Sequence, residues 1–477
     1  MPWVILGRVV RGEPVPDAVG VQGAQQQQHA AVALDLNADP PEEAEDAAAA
    51  ADEPDFVTAP VVLPPRVTIL AAGRGAHPDA NNRDRFPYII AAGRFLLAHF
   101  AVAPFFGTTF DDNPQNTRLV LLRHFHTTAQ GQITAAAEPV PGVPVPSIRN
   151  IQSVGLVSTC EPTVIAELQV DRAGDHFTST LIRFQYGRWS RRDMECPLPD
   201  ENGRPWVPHG AICVNSSICW FDLSWGMLSC DLHQPEEELF INYHPLPDDH
   251  MLPEATPDIH NRRCIAVTRN DTRLRYVEIT PAAAGEAAPT VTMWTRFIRA
   301  DGWEWVMNYT MSFDRIWDDD SYTAIGLPRD VVPVLSAVSP ANHHVVYFAL
   351  GQNIFSVNVP MHRVEQCGIY DLVNMPGPPR PASSRYLVTW KLPEEVDEVL
   401  GNNALAVPGQ QLSLVAEEEA QEESDSEASE GVIEDEGQEV PDMGGGQLAP
   451  AGIYYDYQEP NKGLIQPPGD DAGQGDL

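Results

Sequence analysis

Gly210-Ala-Ile-Cys-Val-Asn-Ser-Ser-Ile-Cys-Trp-Phe-Asp-Leu-Ser-Trp-Gly-Met-Leu-Ser-Cys-Asp231 holds three short apolar runs separated by polar turns. The runs Gly210–Val214, Ser217–Asp222 and Met227–Asp231 are each of strand length, and the breaks between them are rich in Asn, Ser and Gly. Three such strands joined by tight turns make an antiparallel unit, the size of one propeller blade. Two other stretches share the pattern. One is Pro333–Val338 with His344–Leu350 and Asn353–Asn358; the other is Arg263–Ile279 with Val291–Phe297.

Outward from these units, residues 56–395 repeat the same character. Short apolar runs such as Tyr88–Ala92, Ser153–Ser158, Thr163–Val170 and Trp303–Phe313 follow one another with no long amphipathic helix between them. The 44 Pro in the chain argue against long helices, because Pro removes a backbone donor and clashes with the preceding turn. The fold predicted is all-β and propeller-like. About 330 residues in units of roughly 45 to 50 give about six or seven antiparallel blades. Propellers close by letting the chain ends share a blade, so Arg385-Tyr-Leu-Val-Thr-Trp-Lys391 is expected to pair near Val67–Ala72 or Trp3–Val10.

The ends differ from this core. Residues 1–10 read as a strand joining it. Residues 11–55, with the Gln25–Gln28 tract and Ala47–Ala51, read as a disordered insertion, and residues 396–477 as a disordered acidic tail. Of the net charge of −37, residues 1–60 carry −9, residues 61–395 carry −9 and residues 396–477 carry −19. The core is thus only mildly acidic, and direct nucleic-acid binding is not expected without clustered Lys and Arg. No run is long and apolar enough to span a bilayer, and the first ten residues make a poor secretory signal. The seven Cys form no dense framework, so reduced thiols and an intracellular protein, cytoplasmic or nuclear, are expected.

Several stretches resemble a cereal-plant family, the domain of unknown function numbered 1618 (DUF1618). They are Trp3-Val-Ile-Leu-Gly-Arg-Val9, Pro65-Arg-Val-Thr-Ile-Leu70 with His77-Pro-Asp79, Ile218–Asp231, Trp317–Leu327 and Pro340–Tyr347. The resemblance covers most of residues 1–393. It implies a plant protein linked to development or stress responses, and it brings no catalytic residues to carry over. The long 11–55 insertion and the acidic tail depart from the family pattern.

Each candidate site has a plainer reading. Trp220 and Trp225 suggest a ligand cage, but aromatics at such positions fill blade cores, and Gly226 reads as a turn residue. Cys213, Cys219 and Cys230 with His209 and His233 lack the short paired spacing of a zinc site and read as buried thiols. His124 and His126 would share one strand face, which places two imidazoles together without a third ligand. His343 and His344 read as turn residues facing opposite ways. Asp318–Asp320 lack the spaced ligands of a calcium loop and read as a solvated loop. Ser424, Ser426 and Ser429 sit among acids, the setting that acidophilic kinases prefer.

No catalytic, cofactor-binding or metal residue is therefore assigned, and no cofactor is implied. The expected function is a non-catalytic protein-interaction scaffold with a protein partner and no membrane. The alternative is an enzyme whose carboxylates or histidines converge in the central channel of the propeller. The ring of inner strands decides between them.

Overall fold

The computed structural model describes residues 2–12, 56–72, 87–99, 119–128, 132–142, 144–159, 161–199, 204–268, 273–282, 288–299, 302–373, 381–393 and 396. The proposed insertion beyond Gly12, the acidic tail beyond Val396 and the three tail serines lie outside these residues.

The chain opens with β1 (Trp3–Gly7), β2 (Arg11–Gly12), β3 (Phe56–Pro60), β4 (Val67–Thr68) and β5 (Ala71–Ala72). The first blade is β6 (Tyr88–Ala92), β7 (Leu96–His99), β8 (Leu119–Thr127) and β9 (Gln132–Pro139). The second is β10 (Val154–Val157), β11 (Val164–Ala173), β12 (His176–Gln185) and β13 (Arg188–Glu195). The third is β14 (Gly210–Val214), β15 (Ser217–Asp222), β16 (Gly226–Asp231) and β17 (Asn242–Pro245). The fourth is β18 (Arg263–Thr268), β19 (Arg273–Thr280), β20 (Thr290–Arg299) and β21 (Gly302–Ser312). The short helices α1 (Phe313–Asp318) and α2 (Asp320–Ile325) follow. The fifth blade is β22 (Val334–Val338), β23 (Val345–Leu350), β24 (Asn353–Asn358) and β25 (Arg363–Ile369), and β26 (Leu387–Lys391) comes last.

Closure is visible in the pairing. β26 pairs antiparallel with β1, which pairs with β4, so the two ends of the core build the sixth blade together. The inner strands β6, β10, β14, β18, β22 and β26 each touch the next, and β26 touches β6. This ring makes the molecule a six-bladed propeller. β3, β5 and β2 extend the first blade beyond β9 into a seven-stranded sheet. Arg11–Gly12 thus form a strand at the start of the segment expected to lack structure, because their backbone pairs with Ala71–Ala72.

The core is six hydrophobic seams, one between each pair of neighbouring blades. Alternation along a strand sends successive side chains to opposite faces, so every blade feeds two seams. In the seam between the second and third blades, Ile218 and Trp220 pack with Val157 and Leu168. The Trp220 indole donates to the Ser153 carbonyl at 2.8 Å, so its polar atom is not stranded. Blades approach closely there: a Cβ on Gly155 would lie 2.6 Å from Ile218.

Three local readings change. The solvated loop at Asp318–Asp320 is a helix junction: Asp319 caps α2 by accepting from the Ser321 amide, while Phe313, Ile316, Trp317 and Tyr322 are buried. A strand expected through Phe313 stops at Ser312, whose hydroxyl accepts from the Asp314 amide and starts α1. Gly226 lies inside β16, where a Cβ would meet the His244 carbonyl at 2.6 Å; close approach of β17 selects it.

Candidate functional site

The six inner strands surround a cavity of about 540 Å³. All six run the same way. Tyr88, at the start of β6, bonds the Arg385 carbonyl just before β26, whereas Trp390, near the end of β26, bonds the Gly93 carbonyl beyond β6. The cavity therefore has one mouth at the strand starts and another at the strand ends.

The strand-start mouth gathers Arg8, Tyr88, His209, His260, Ser384 and Arg385. Arg8 leaves β1 and donates to the carbonyls of Ile89 and Ile90 at 2.9 and 2.6 Å, which fixes its guanidinium beside the Tyr88 ring. The His209 and His260 rings meet edge to face, 5.4 Å between centroids. His260 Nδ1 lies 3.2 Å from the Ser384 hydroxyl, and its Nε2 is buried without a hydrogen-bond partner. His209 Nδ1 lies 3.2 Å from the Leu223 amide nitrogen and 3.4 Å from an Asp222 carboxylate oxygen.

The electrostatics of this mouth are cationic. Burial pushes His260 well below the usual imidazole range, and the charges of His209, Arg385 and Arg8 push it further. Burial pushes the Cys264 thiol up to about 12, with Arg8 opposing. Among the described residues lining the cavity are four cations, Arg8, Arg94, Arg385 and Lys391, and no Asp or Glu. Behind the wall, the Asp222 carboxylate accepts from the amides of Val207 and Ser224 and from the Ser224 hydroxyl, and one of its oxygens lies 3.4 Å from His209 Nδ1. At the strand-end mouth, the Ser158 hydroxyl accepts from the Arg94 amide at 3.0 Å.

Two histidines converge on the channel, the feature that favours the enzyme alternative, while the described residues lining it include no carboxylate. The Ser384–His260 contact is a poor nucleophile pair. No carboxylate orients the ring, and the surrounding positive charge lowers its basicity. What the cavity offers is hydrogen-bond donors, positive charge and an apolar wall.

The residues weighed in the sequence fall elsewhere. Trp220 and Trp225 are buried in a seam, where Trp225 packs on Phe177, Trp206 and the Arg204 guanidinium. Cys219 and Cys230 enter different seams, because they lie on opposite faces of the third blade. Burial pushes both thiols up to about 12. His124 and His126 do not share a face: a bulge between Arg123 and His126, with His124 at φ 54°, breaks the alternation. His124 instead reaches Glu138, 3.2 Å away. His343 and His344 occupy a turn as expected, yet their rings lie together, 3.9 Å between centroids. Sequence reading weighed His209 as a zinc ligand and missed Arg8, His260 and Arg385. Their shared signal is position: His209, His260 and Arg385 shortly precede the inner strands β14, β18 and β26, and Arg8 directly follows β1.

A second feature lies on the outside. Among the described residues, β21 is the outer strand of the fourth blade, with no strand paired on its far side, and the longest strand, 11 residues. Trp303, Trp305 and Met307 alternate along one of its faces; Trp303 and Met307 are 44% and 61% exposed. Trp303 and Trp305 cover the buried Arg296 guanidinium at 4.9 and 5.6 Å. No helix among the described residues is long and apolar enough to cross a membrane.

The model of a family described as "Protein of unknown function (DUF1618)" matches residues 220–347, which supports the resemblance seen in the sequence. No curated protein matches the chain. Solved structures similar to it include apo AztD from Citrobacter koseri, 11% identical, covering 65% of this chain and 76% of that one, with a TM-score of 0.29. A puromycin hydrolase S511A mutant complexed with PGG is 11% identical, covering 58% and 38%, with a TM-score of 0.27. The β-propeller domain of Myceliophteria thermophila Cps50 (Swd1) is 11% identical, covering 60% and 85%, with a TM-score of 0.26. The propeller assignment rests on strand pairing and ring closure, not on these likenesses.

Proposed function

We propose that this protein is a non-catalytic interaction scaffold that receives an extended segment of a partner protein along the outer edge of its fourth blade. The observation that carries this is the open β21 edge with its exposed Trp303 and Met307. A free strand edge offers unpaired backbone groups to an added strand, and a half-exposed Trp beside an apolar neighbour is the side-chain type that dominates interface energy. Edges of this length are normally blunted by charge or Pro, and in β21 Glu304 is the single charged residue. The partner's segment would carry alternating apolar side chains to meet Trp303 and Met307.

The test places a photo-crosslinking amino acid at Thr310, exposed on the same strand, in the full-length protein expressed in plant cells. A discrete crosslinked protein should form, and Trp303→Glu with Met307→Glu should abolish it while leaving the thermal melt in place. Undiminished crosslinking in that double variant, or none in the parent, overturns the reading.

A further inference from the structure

We propose that the central channel is a binding site for a small organic oxyanion, an apolar body bearing a carboxylate, phosphate or sulfonate group, whose charged head sits at the strand-start mouth. The site is independent of the β21 edge.

Charge is the first argument. Among the described residues lining this cavity are four cations, Arg8 and Arg385 at the strand-start mouth and Arg94 and Lys391 toward the other, and no carboxylate. Positive side chains on low-dielectric walls focus their field into the channel and favour an anion there. The second argument is an unsatisfied group. His260 is 6% exposed, lines the cavity, and its Nε2 has no hydrogen-bond partner. A buried polar atom left so costs about 1–3 kcal/mol, a cost that a ligand oxygen at this point removes. His209 also lines the cavity in edge contact with His260, and Ser384 brings a hydroxyl to His260 Nδ1.

Geometry supplies the third argument. Arg8 is held by two carbonyl contacts through one nitrogen, so its orientation is set before any ligand arrives. Beyond this polar mouth the wall is apolar, with Ile90, Leu156, Ile212, Ile265 and Val338 on five different strands. A concave, mostly apolar cavity of about 540 Å³ with a few convergent polar groups suits a small organic molecule.

The probes are 8-anilinonaphthalene-1-sulfonate and its uncharged counterpart N-phenyl-1-naphthylamine, titrated by fluorescence into the full-length protein. The sulfonate should bind at least tenfold more tightly than the neutral amine. Arg385→Gln and His260→Gln should each weaken the sulfonate about tenfold, while Trp303→Ala should leave it unchanged. Equal affinity for the two probes, sulfonate binding unaffected by both channel variants, or loss of binding in Trp303→Ala overturns the proposal. If Arg385→Gln does not fold, the probe comparison and His260→Gln still decide. Failure of this site would leave the crosslinking test at β21 untouched.

Discussion

Glu278 in the fourth blade and Glu167 in the second are both buried, 5% and 1% exposed, yet they sit in opposite electrostatic states. Burial pushes Glu278 up, but His250, the Arg263 guanidinium and the Tyr276 hydroxyl outweigh it and hold the carboxyl below its usual range. The contacts are short: Arg263 at 2.5 Å, His250 at 2.7 Å and Tyr276 at 3.0 Å. Glu167 also accepts from four residues, Arg149 and Asn150 through their amides, Ser153 and Gln169 through their side chains. Burial nevertheless pushes it up to about 7. Neutral donors satisfy a carboxylate's lone pairs, but only a nearby cation offsets the cost of burying its charge.

The comparison breaks most sharply at Glu278. Glu278→Ala strands the Arg263 charge, itself 4% exposed, and should lower unfolding free energy by about 3–5 kcal/mol in a denaturant titration. The double variant Arg263→Met/Glu278→Leu should recover most of that loss, because both charges leave together. A double variant as unstable as the single one would mean that shape, and not charge, matters there.

Glu167→Gln should cost less, about 1–3 kcal/mol, since it replaces one acceptor oxygen by an amide donor facing existing donors. Its pH dependence sharpens the contrast. With a folded value near 7 against 4.5 unfolded, Glu167 binds a proton more tightly when folded. Its stabilising contribution is full below pH 4.5 and is lost as pH rises to about 7. The gap between parent and variant should therefore be wider at pH 5 than at pH 8, and a gap that ignores pH would show Glu167 ionised throughout. The gap is the right measure because burial pushes His99 and His244 down to about 3, so their contribution weakens as pH falls below 6.5. The smallest effect belongs to Asp171, four residues along β11, which pairs with Arg149 at 2.7 Å while 55% exposed. Asp171→Ala should change stability by less than about 1 kcal/mol, and salt should erase the difference.

Legibility followed the same division between local and distant. The Gly210–Asp231 stretch reads as strands because its turns and apolar runs lie within a few residues of each other, and β14, β15 and β16 fall on them. β26 was legible as a closing strand for the same reason, and its partner β1 was one of two offered. β9 escaped notice: Gln132-Ile-Thr-Ala-Ala-Ala-Glu-Pro139 carries weak strand formers and is held by β8 on one side and β3 on the other. α1 and α2 escaped because three consecutive acids look like a loop until Asp319 is seen capping a helix.

The sequence by itself determined a body of short pleated units with ends of different composition, since alternation and turn chemistry act over a few residues. Only the tertiary structure decided the number of blades, the six seams and the cationic mouth. Arg8, His209, His260 and Arg385 come from widely separated parts of the chain, and no short-range pattern links them. They meet because a closed ring brings the starts of its inner strands to one end.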